Sequence, residues 1–389
     1  MKIALVTLSA GEEFERMAAL VNGPKRRFCE RWGYDFVEFH ELLDAQRPAA
    51  WSKIRAVERV LPEYDWVVWC DVDTVLWKAH DGLRQYIAAA HDADFILQCD
   101  HYGINTGVFF VRNCDWAFSF LEKVYRQEKF IHDPWWEQAA VIDLLERDDT
   151  LSHCHILPPG ETGGGFHGFI GCHDWDKTFI HFAGIRASER LPLVENLVRL
   201  AELPFELRLL TRDRLGTLLN RVGLLGEGVE VGVAAGDYSK TILDFWEGRR
   251  LHLVDAWRRL PDYHDINNLS DEEHRARLDE LPEKLAAHRG RYQIHRMLTD
   301  DAAAEFKDES LDFVYLDANH TYESTTRSLR LWYGKLRRGG LLAGHDFLDG
   351  HLPEAEFGVR SAVIDFERAK QVRAAVTPEP WPSWYLFKP

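Results

Sequence analysis

The chain lacks several features that would assign a protein to a class at once. No apolar run in its 389 residues approaches the roughly 20 that a membrane-spanning helix needs, so we expect no integral membrane segment. Positive charge is scarce, and the formal net charge of −16 argues against nucleic acid or an anionic membrane as a partner. Low-complexity tracts are absent. The 46% hydrophobic and 28% charged residues are typical of a globular protein long enough for two domains.

Cysteine is also rare. The six cysteines lie in the first half without paired spacing, which favours free thiols and a cytoplasmic location over a disulfide-bonded secreted protein. Residues 1–8 read directly into a strand and do not resemble a signal peptide. The group His153-Cys154-His155 with Cys172-His173 could bind zinc, but no Cys-x-x-Cys element supports that alternative.

The stretch from Tyr64 to Lys78 organises the first half. Its segment Trp66-Val-Val-Trp-Cys70 has no polar alternation, which is typical of a strand buried on both faces of a parallel sheet. Asp71-Val-Asp73 follows at the carboxyl end, where open α/β sheets bind ligands. Carboxylates are hard ligands suited to Mg²⁺ or Mn²⁺, which bridge to phosphate oxygens. The alternative is a solvated pair of aspartates in a turn.

Strands and helices alternate through the first half and predict a mostly parallel α/β sheet. The predicted strands cover 2–8, 33–39, 66–70, 94–98 and 104–111, and the predicted helices cover 12–32, 51–61 and 82–90. We expect the first helix to be interrupted at Gly23-Pro24.

Five short motifs of the first half occur in the order and rough spacing of a known family. They are Lys53 in Trp-Ser-Lys, Asp71-Val-Asp73, Asn105-Thr-Gly107, Glu137-Gln138 and His181-Phe-Ala-Gly184. Over residues 1–190 the chain resembles the GT-A-fold galactosyl-, xylosyl- and mannosyltransferases of fungal and plant secretory pathways. The resemblance implies a GT-A-like domain that binds a nucleotide sugar.

The same resemblance implies roles for individual residues. The candidates are Asp71, Asp73 and His181 as ligands of Mn²⁺ or Mg²⁺, Lys53 beside the diphosphate, and Asn105 and Gln138 at donor or acceptor sugar hydroxyls. A metal and a cation would stabilise the departing nucleoside diphosphate. The ordinary alternatives are a hydrogen-bonded strand-end histidine, a helix-terminal lysine, and amides in a turn or on a helix surface. The stretch 163–169 is either a flap over the donor or a plain loop.

The second half opens with a strand, a glycine-rich turn and a helix. In Glu230-x-Gly232-x-x-x-Gly236 the glycines let the backbone approach a bound nucleoside closely. Asp255 ends the next predicted strand and can accept from both ribose hydroxyls. This glycine spacing is not that of a dinucleotide fold and resembles class I S-adenosylmethionine-dependent methyltransferases.

A short segment before a predicted helix, residues 298–300, supplies two further candidates. Thr299 and Asp300 in Leu298-Thr-Asp300 would flank the adenine of S-adenosylmethionine. Their alternative role is to cap the helix that they precede.

The last third of the chain carries a second set of acidic and histidine residues. Asp317-Ala-Asn-His320 follows an apolar run, and Gly339-Gly340 leads to His345-Asp346. Over about residues 205–389 the chain resembles the family that includes the macrolide sugar O-methyltransferases. That resemblance implies Asp317 and Asp346 as metal ligands and His320 as the base for a sugar hydroxyl. His345 stands where an acidic ligand is found, and imidazole suits Mn²⁺, Fe²⁺ or Zn²⁺ better than Mg²⁺. The alternative is a pair of loop histidines.

These observations predict a GT-A-like domain over 1–190, an amphipathic helical connector over 191–204, and a Rossmann-like methyltransferase domain over 205–389. The leading hypothesis is a bifunctional enzyme that transfers a sugar from a nucleotide donor and O-methylates a sugar hydroxyl. Its partners would be the donor and a glycan or glycosylated small-molecule acceptor, and a homo-oligomer is compatible. In a second hypothesis the first domain only binds the glycan. In a third, neither site turns over and the chain serves an assembly complex.

Overall fold

The computed structural model describes the chain except residues 81, 101–102, 159–166, 170–174, 262 and 354, and the side chains of 148, 149, 167 and 169. The chain forms two compact units, Met1–Ala201 and Glu202–Pro389. Most of the predicted flap, and Cys172 and His173 of the zinc alternative, lie outside the described residues. The other five cysteines are free thiols. None of the described helices is long and apolar enough to cross a membrane.

The first unit is built on a six-stranded mixed sheet. Its elements are β1 (Ile3–Leu8), α1 (Glu12–Trp32), β2 (Asp35–Phe39), α2 (Ser52–Val60), β3 (Trp66–Cys70), β4 (Thr74–Leu76), α3 (Arg84–Ala89), β5 (Phe95–Asp100), β6 (Gly103–Arg112), α4 (Asp115–Tyr125), α5 (Trp136–Leu145), β7 (Cys154–Leu157), β8 (His167–Phe169), β9 (Phe179–His181) and α6 (Ala187–Ala201). The strand order is β2-β1-β3-β6-β5-β7, and a smaller sheet has the order β4-β9-β8. All five residues of β3 are buried, because β1 and β6 flank the strand and apolar clusters cover both sheet faces.

The structure corrects three expectations for this unit. Helix α1 continues through Pro24 without interruption, because residues on both sides of the proline, such as Met17 and Phe28, are buried and hold both halves of the helix in place. Strand β4 follows Asp73 directly, before the predicted helix. Strand β6 runs antiparallel to β3 and β5, because two residues between β5 and β6 are too few for a parallel crossover.

The second unit contains a seven-stranded sheet of the Rossmann-like kind. Its elements are α7 (Leu215–Arg221), β10 (Glu227–Val231), α8 (Asp237–Phe245), β11 (Arg250–Asp255), α9 (Asp271–Lys284), β12 (Tyr292–Arg296), α10 (Thr299–Glu305), β13 (Leu311–Leu316), α11 (Tyr322–Lys335), β14 (Leu336–Gly344), β15 (Asp349–His351), β16 (Glu356–Gly358), α12 (Val359–Lys370), β17 (Ala375–Val376) and β18 (Trp384–Phe387). The order is β12-β11-β10-β13-β14-β18-β17. The first five strands are parallel, β18 pairs antiparallel with β14, and β17 pairs antiparallel with β18. The chain order reverses next to β10, so the carboxyl ends of β10 and β13 border a ligand crevice.

Two candidate active sites

The first candidate site lies where β3 ends and the small sheet begins. Asp71 follows β3, Asp73 precedes β4, and antiparallel pairing of β4 with β9 sets Thr74 opposite His181. The His181 Nε2 atom lies 3.3 Å from Asp73 Oδ1 and 3.8 Å from Asp71 Oδ2. Asp73 and His181 are buried, whereas Asp71 is partly open to solvent. The three predicted ligands therefore converge, with one ligand atom each inside 4.8 Å of the others.

Gly107 on β6 makes room for this histidine. A Cβ atom at position 107 would lie 2.1 Å from His181 Cε1 and 2.5 Å from its Nδ1, whereas ordinary contacts begin near 3.4 Å. The strand therefore needs glycine at this point because the imidazole packs against its backbone.

Lys53 supplies a buried positive charge next to the aspartates. Its Nζ lies 3.1 Å from Asp71 Oδ1 and 2.8 Å from Glu137 Oε1, and donates to the Thr106 carbonyl at 3.0 Å. Burial opposes the charged form, but the two carboxylates outweigh it and raise the pKa of Lys53. The lysine thus stays protonated where the sequence predicts a cation for the diphosphate.

The two predicted sugar-binding amides are engaged with the protein around this site. Asn105 Oδ1 accepts from the Gly107 amide at 2.7 Å, and Asn105 Nδ2 donates to Asp100 at 3.1 Å. Gln138 Oε1 accepts from the Thr106 amide at 3.1 Å. The Asn105 bonds lie within β6 and between β6 and β5, and the Gln138 bond joins α5 to β6. The predicted sugar contacts of both amides stay predictions.

Three further residues of the first site were not among the predicted contacts. Arg190 on α6 donates to Asp73 Oδ2 at 3.3 Å, and Lys25 on α1 donates to the Asp71 carbonyl at 3.3 Å. Burial would raise the pKa of Asp73, but His181 and Arg190 outweigh it and lower that pKa to about 2. The third residue is Glu137, which precedes Gln138 in the Glu137-Gln138 motif of the sequence. Arg190 and Lys25 carry no local signal, because each reaches the site only through the fold.

The second candidate site lies at the carboxyl ends of β13 and β14. His320 Nε2 lies 3.4 Å from Asp317 Oδ1 and 3.2 Å from Asp346 Oδ2, and these three residues form the second convergent group. His345 Nδ1 is 2.9 Å from Asp346 Oδ1 but 3.9 Å from Asp317 Oδ1. The predicted base therefore lies within the ligand cluster, and the predicted ligand His345 lies at its edge.

A second carboxylate holds the outer nitrogen of His320. Asp265 Oδ2 lies 3.1 Å from His320 Nδ1, and Tyr263 donates to the same carboxylate at 2.8 Å. Burial would lower the pKa of His320, but hydrogen bonds to Asp265 and Asp317 and the charge of Asp346 raise it to about 10. Sequence reasoning missed Asp265, which lies in an irregular segment before α9 and has no motif around it.

The glycine-rich turn after β10 has the conformation that its glycines permit. Gly232 has φ 91° and Gly236 has φ 79°, and a Cβ at Gly232 would lie 1.9 Å from the Asp317 carbonyl oxygen. Asp255 Oδ2 accepts from the Val233 and Ala234 amides at 2.9 and 3.0 Å. Asp255 Oδ1 also accepts from the Trp257 amide at 2.8 Å, so about one of the four lone-pair sites of the carboxylate remains for a ribose hydroxyl.

The remaining predicted cofactor contacts lie on β10 and at the start of α10. Glu230 is buried on β10 and accepts from Ser239 on α8. Thr299 Oγ1 accepts from Trp332 Nε1 at 2.9 Å, and Asp300 pairs with Arg327 at 3.5 Å. Leu298 occupies the N-cap of α10, so neither Thr299 nor Asp300 caps the helix.

Comparison with known families matches each half to a different one. Residues 38–185 match the nucleotide-diphospho-sugar transferase model, and residues 229–347 match a methyltransferase domain model. The chain carries both domains. The predicted fold class, with a GT-A-like unit followed by a Rossmann-like unit, is confirmed, as is the resemblance of each half. We call the two units the transferase unit and the methyltransferase unit.

Among similar proteins, galactomannan galactosyltransferase 1 of Cyamopsis tetragonoloba is 30% identical over 105 residues, which cover 24% of each chain. Probable xyloglucan 6-xylosyltransferase 1 of Oryza sativa subsp. indica is 28% identical over 111 residues, 25% of this chain and 24% of the relative. The chain thus spans about a quarter of the length of these relatives. A glycosyltransferase involved in glycosylation of the major capsid of PBCV-1 has a TM-score of 0.42 at 19% identity, over 50% of this chain and 99% of that one.

Each cluster has a donor set suited to a divalent metal. Two carboxylates and an imidazole combine hard oxygen ligands with a nitrogen that Mn²⁺ and its first-row neighbours accept. In the transferase unit the set is Asp71, Asp73 and His181. In the methyltransferase unit the two carboxylates are Asp317 and Asp346, and the imidazole beside them is His320, the predicted base. The residues present fit an ion at both places.

Proposed function

We propose that the chain is a bifunctional enzyme that transfers a glycosyl group from a nucleotide sugar and O-methylates a sugar hydroxyl with S-adenosylmethionine. One observation carries the proposal: each unit presents two aspartates and a histidine together at the carboxyl ends of its strands. A cytoplasmic location, a glycan or glycoside acceptor and a homo-oligomer belong to the same proposal as predictions.

In the transferase unit, charge complementarity supports nucleotide-sugar chemistry. A divalent ion held by Asp71, Asp73 and His181 would supply positive charge to the diphosphate. Lys53 places a fixed cation beside Asp71, and Arg190 places another beside Asp73. Negative charge that develops on the leaving diphosphate therefore meets cations that are already in position.

In the methyltransferase unit, the geometry around His320 supports removal of a hydroxyl proton. S-adenosylmethionine supplies the methyl group when it is bound, and the 232–236 turn with Asp255 would hold its nucleoside. Asp265 fixes His320 Nδ1, which directs Nε2 towards Asp317 and Asp346. These carboxylates keep His320 protonated in the metal-free chain, and an ion held by Asp317 and Asp346 would offset their charge and favour the neutral imidazole. Neutral Nε2 could then take the proton of a sugar hydroxyl as the hydroxyl oxygen receives the methyl group and the methyl–sulfur bond breaks.

The first test is nucleoside diphosphate release from UDP-, GDP- and dTDP-sugars with Mn²⁺. We expect release with one donor, its loss in Asp73→Ala, and its persistence in Asp346→Ala. Calorimetric binding of S-adenosylmethionine would be measured on the same preparations. If no donor in the panel releases nucleoside diphosphate while S-adenosylmethionine still binds, the transferase half of the proposal is contradicted. A methyltransferase with a glycan-binding unit would then be favoured. Failure of cofactor binding would contradict the methyltransferase half.

A further inference from the structure

Two adjacent tryptophans at the start of α5 are exposed to solvent. Trp135 is 51% exposed and Trp136 is 43% exposed, although large aromatic side chains are usually mostly buried. Asp133 fixes the turn that carries them, because its carboxylate accepts from the Trp135 amide at 2.8 Å and its carbonyl accepts from the Trp136 amide at 3.0 Å. The backbone thus holds both rings at the surface.

The backbone of Trp136 adopts an unfavourable conformation. Its φ is 45°, in the left-handed region that bulky side chains rarely enter. Such a conformation persists where the surrounding contacts impose it, and it is found most often at binding and active sites.

The tryptophans border the candidate transferase site. Glu137 follows Trp136 directly, and its carboxylate shares Lys53 with the metal-ligand candidate Asp71. A helix rises about 1.5 Å per residue, so positions 135–138 fall within one turn. The turn that carries the exposed rings, called the rim below, therefore adjoins along the chain the residues that reach Lys53 and Thr106.

This rim suits a neutral sugar chain. A sugar ring has an apolar face of C–H groups and an edge of hydroxyls, and an indole covers the apolar face while water leaves both surfaces. The charged side chain of the exposed turn, Asp133, is acidic and would disfavour an anionic ligand. We propose that Trp135 and Trp136 form a stacking surface for the acceptor glycan of the transferase unit, an inference that rests on the proposed function.

The test uses the full chain labelled with 5-fluorotryptophan, with cellohexaose and mannohexaose as probes. Substitutions Trp135→Phe and Trp136→Phe assign the two ¹⁹F signals. We expect one hexasaccharide to shift both signals while the signal of Trp116, on α4 of the same unit, stays in place. The double variant Trp135→Ala/Trp136→Ala should bind that hexasaccharide about tenfold more weakly or worse.

Two controls separate this inference from the proposed function. Leu151→Ala removes an equally exposed apolar side chain, 53% accessible, from the same unit and should leave hexasaccharide affinity unchanged. Acceptor-free nucleoside diphosphate release is measured on the wild-type chain in parallel, and its absence would count against the proposed function, whereas the hexasaccharide affinities test the stacking surface. Unmoved ¹⁹F signals with both sugars, or unchanged affinity in the double variant, would overturn the inference. Shifts that depend on protein concentration without sugar would also overturn it and indicate contact between copies.

Discussion

Replacing Gly107 by alanine is expected to weaken metal binding at the transferase site strongly without unfolding that unit. The backbone of Gly107 has no positive φ, so alanine fits the strand itself. The conflict is with the side chain of His181, which the new methyl group would meet first at Cε1.

The size of the effect follows from the distances. The added Cβ would lie 2.1 Å from His181 Cε1 against an ordinary contact of at least 3.4 Å, so the ring must retreat by about 1.3 Å. Metal–ligand distances tolerate only about 0.2 Å. Because His181 is 3% exposed, the ring has little free space into which it can turn and still reach the aspartates. We expect Mn²⁺ affinity to fall about 100-fold or more, with an overpacking cost of about 1–3 kcal/mol in unfolding free energy.

The assay is a titration with Mn²⁺ in which electron paramagnetic resonance measures the concentration of the free ion. It is performed in an Asp317→Ala background, so that the cluster of the methyltransferase unit does not add a second site. Gly23→Ala serves as the matched control, because its Cβ would meet no atom closer than 3.6 Å and alanine favours the helix.

If the folded Gly107→Ala variant bound Mn²⁺ with the affinity of the wild type, the steric explanation would be refuted. A sharper check combines Gly107→Ala with His181→Ala. If the methyl group acts through the imidazole, the double variant binds Mn²⁺ no more weakly than His181→Ala alone. Additive losses would show that Gly107 acts by another route.

Three further predictions concern buried charge. Lys53→Met should destabilise the transferase unit by about 3–5 kcal/mol in urea, because it leaves the Glu137 carboxylate buried without its cation. Burial raises the pKa of Glu230 from 4.5 to about 8, so the folded chain keeps a proton that the unfolded chain loses. Unfolding free energy should then fall by about 4 kcal/mol between pH 5 and pH 9, and Glu230→Gln should remove that slope. Burial and the neighbouring His295 lower the pKa of His252 below 6.5, so stability should decline as pH falls below 6.5, and less so in His252→Phe.

Each of these predictions has a contrary result. Lys53→Met would contradict its prediction if it unfolded at the wild-type urea midpoint, and adding Glu137→Gln should recover part of the loss. A Glu230→Gln variant with an unchanged pH slope would show that another group carries the proton. If the stability of His252→Phe declines with falling pH as much as that of the wild type, the pair of His252 and His295 is not the source of the decline.

The structural features that the sequence predicts most reliably are those that residues adjacent in the chain determine. An apolar strand that ends in Asp71-Val-Asp73 places both carboxylates at the sheet edge, and the structure has them there. Pro24 shows the limit of local reasoning. A proline inside a helix costs about 3 kcal/mol, yet burial of residues on both sides of it keeps α1 continuous.

Residues that reach a site through tertiary structure escape such reasoning. Arg190 meets Asp73 only because α6 returns to the small sheet, and Asp265 meets His320 from an irregular segment. The different placements of His320 and His345 depend on the loop after β14, where Asp346 has φ 53°. A family motif gives the residues of this loop but not its backbone conformation.

The pairing of Thr74 with His181 also affects how the transferase unit assembles. His181 follows Asp73 by more than a hundred residues, so the cluster exists only after the chain has closed a long loop. Contacts of such high sequence separation form late and lose much chain entropy. An ion that joins Asp73 to His181 would therefore hold together the first and last parts of this unit. Metal uptake would then report completion of its folding, with Mn²⁺ slowing its unfolding.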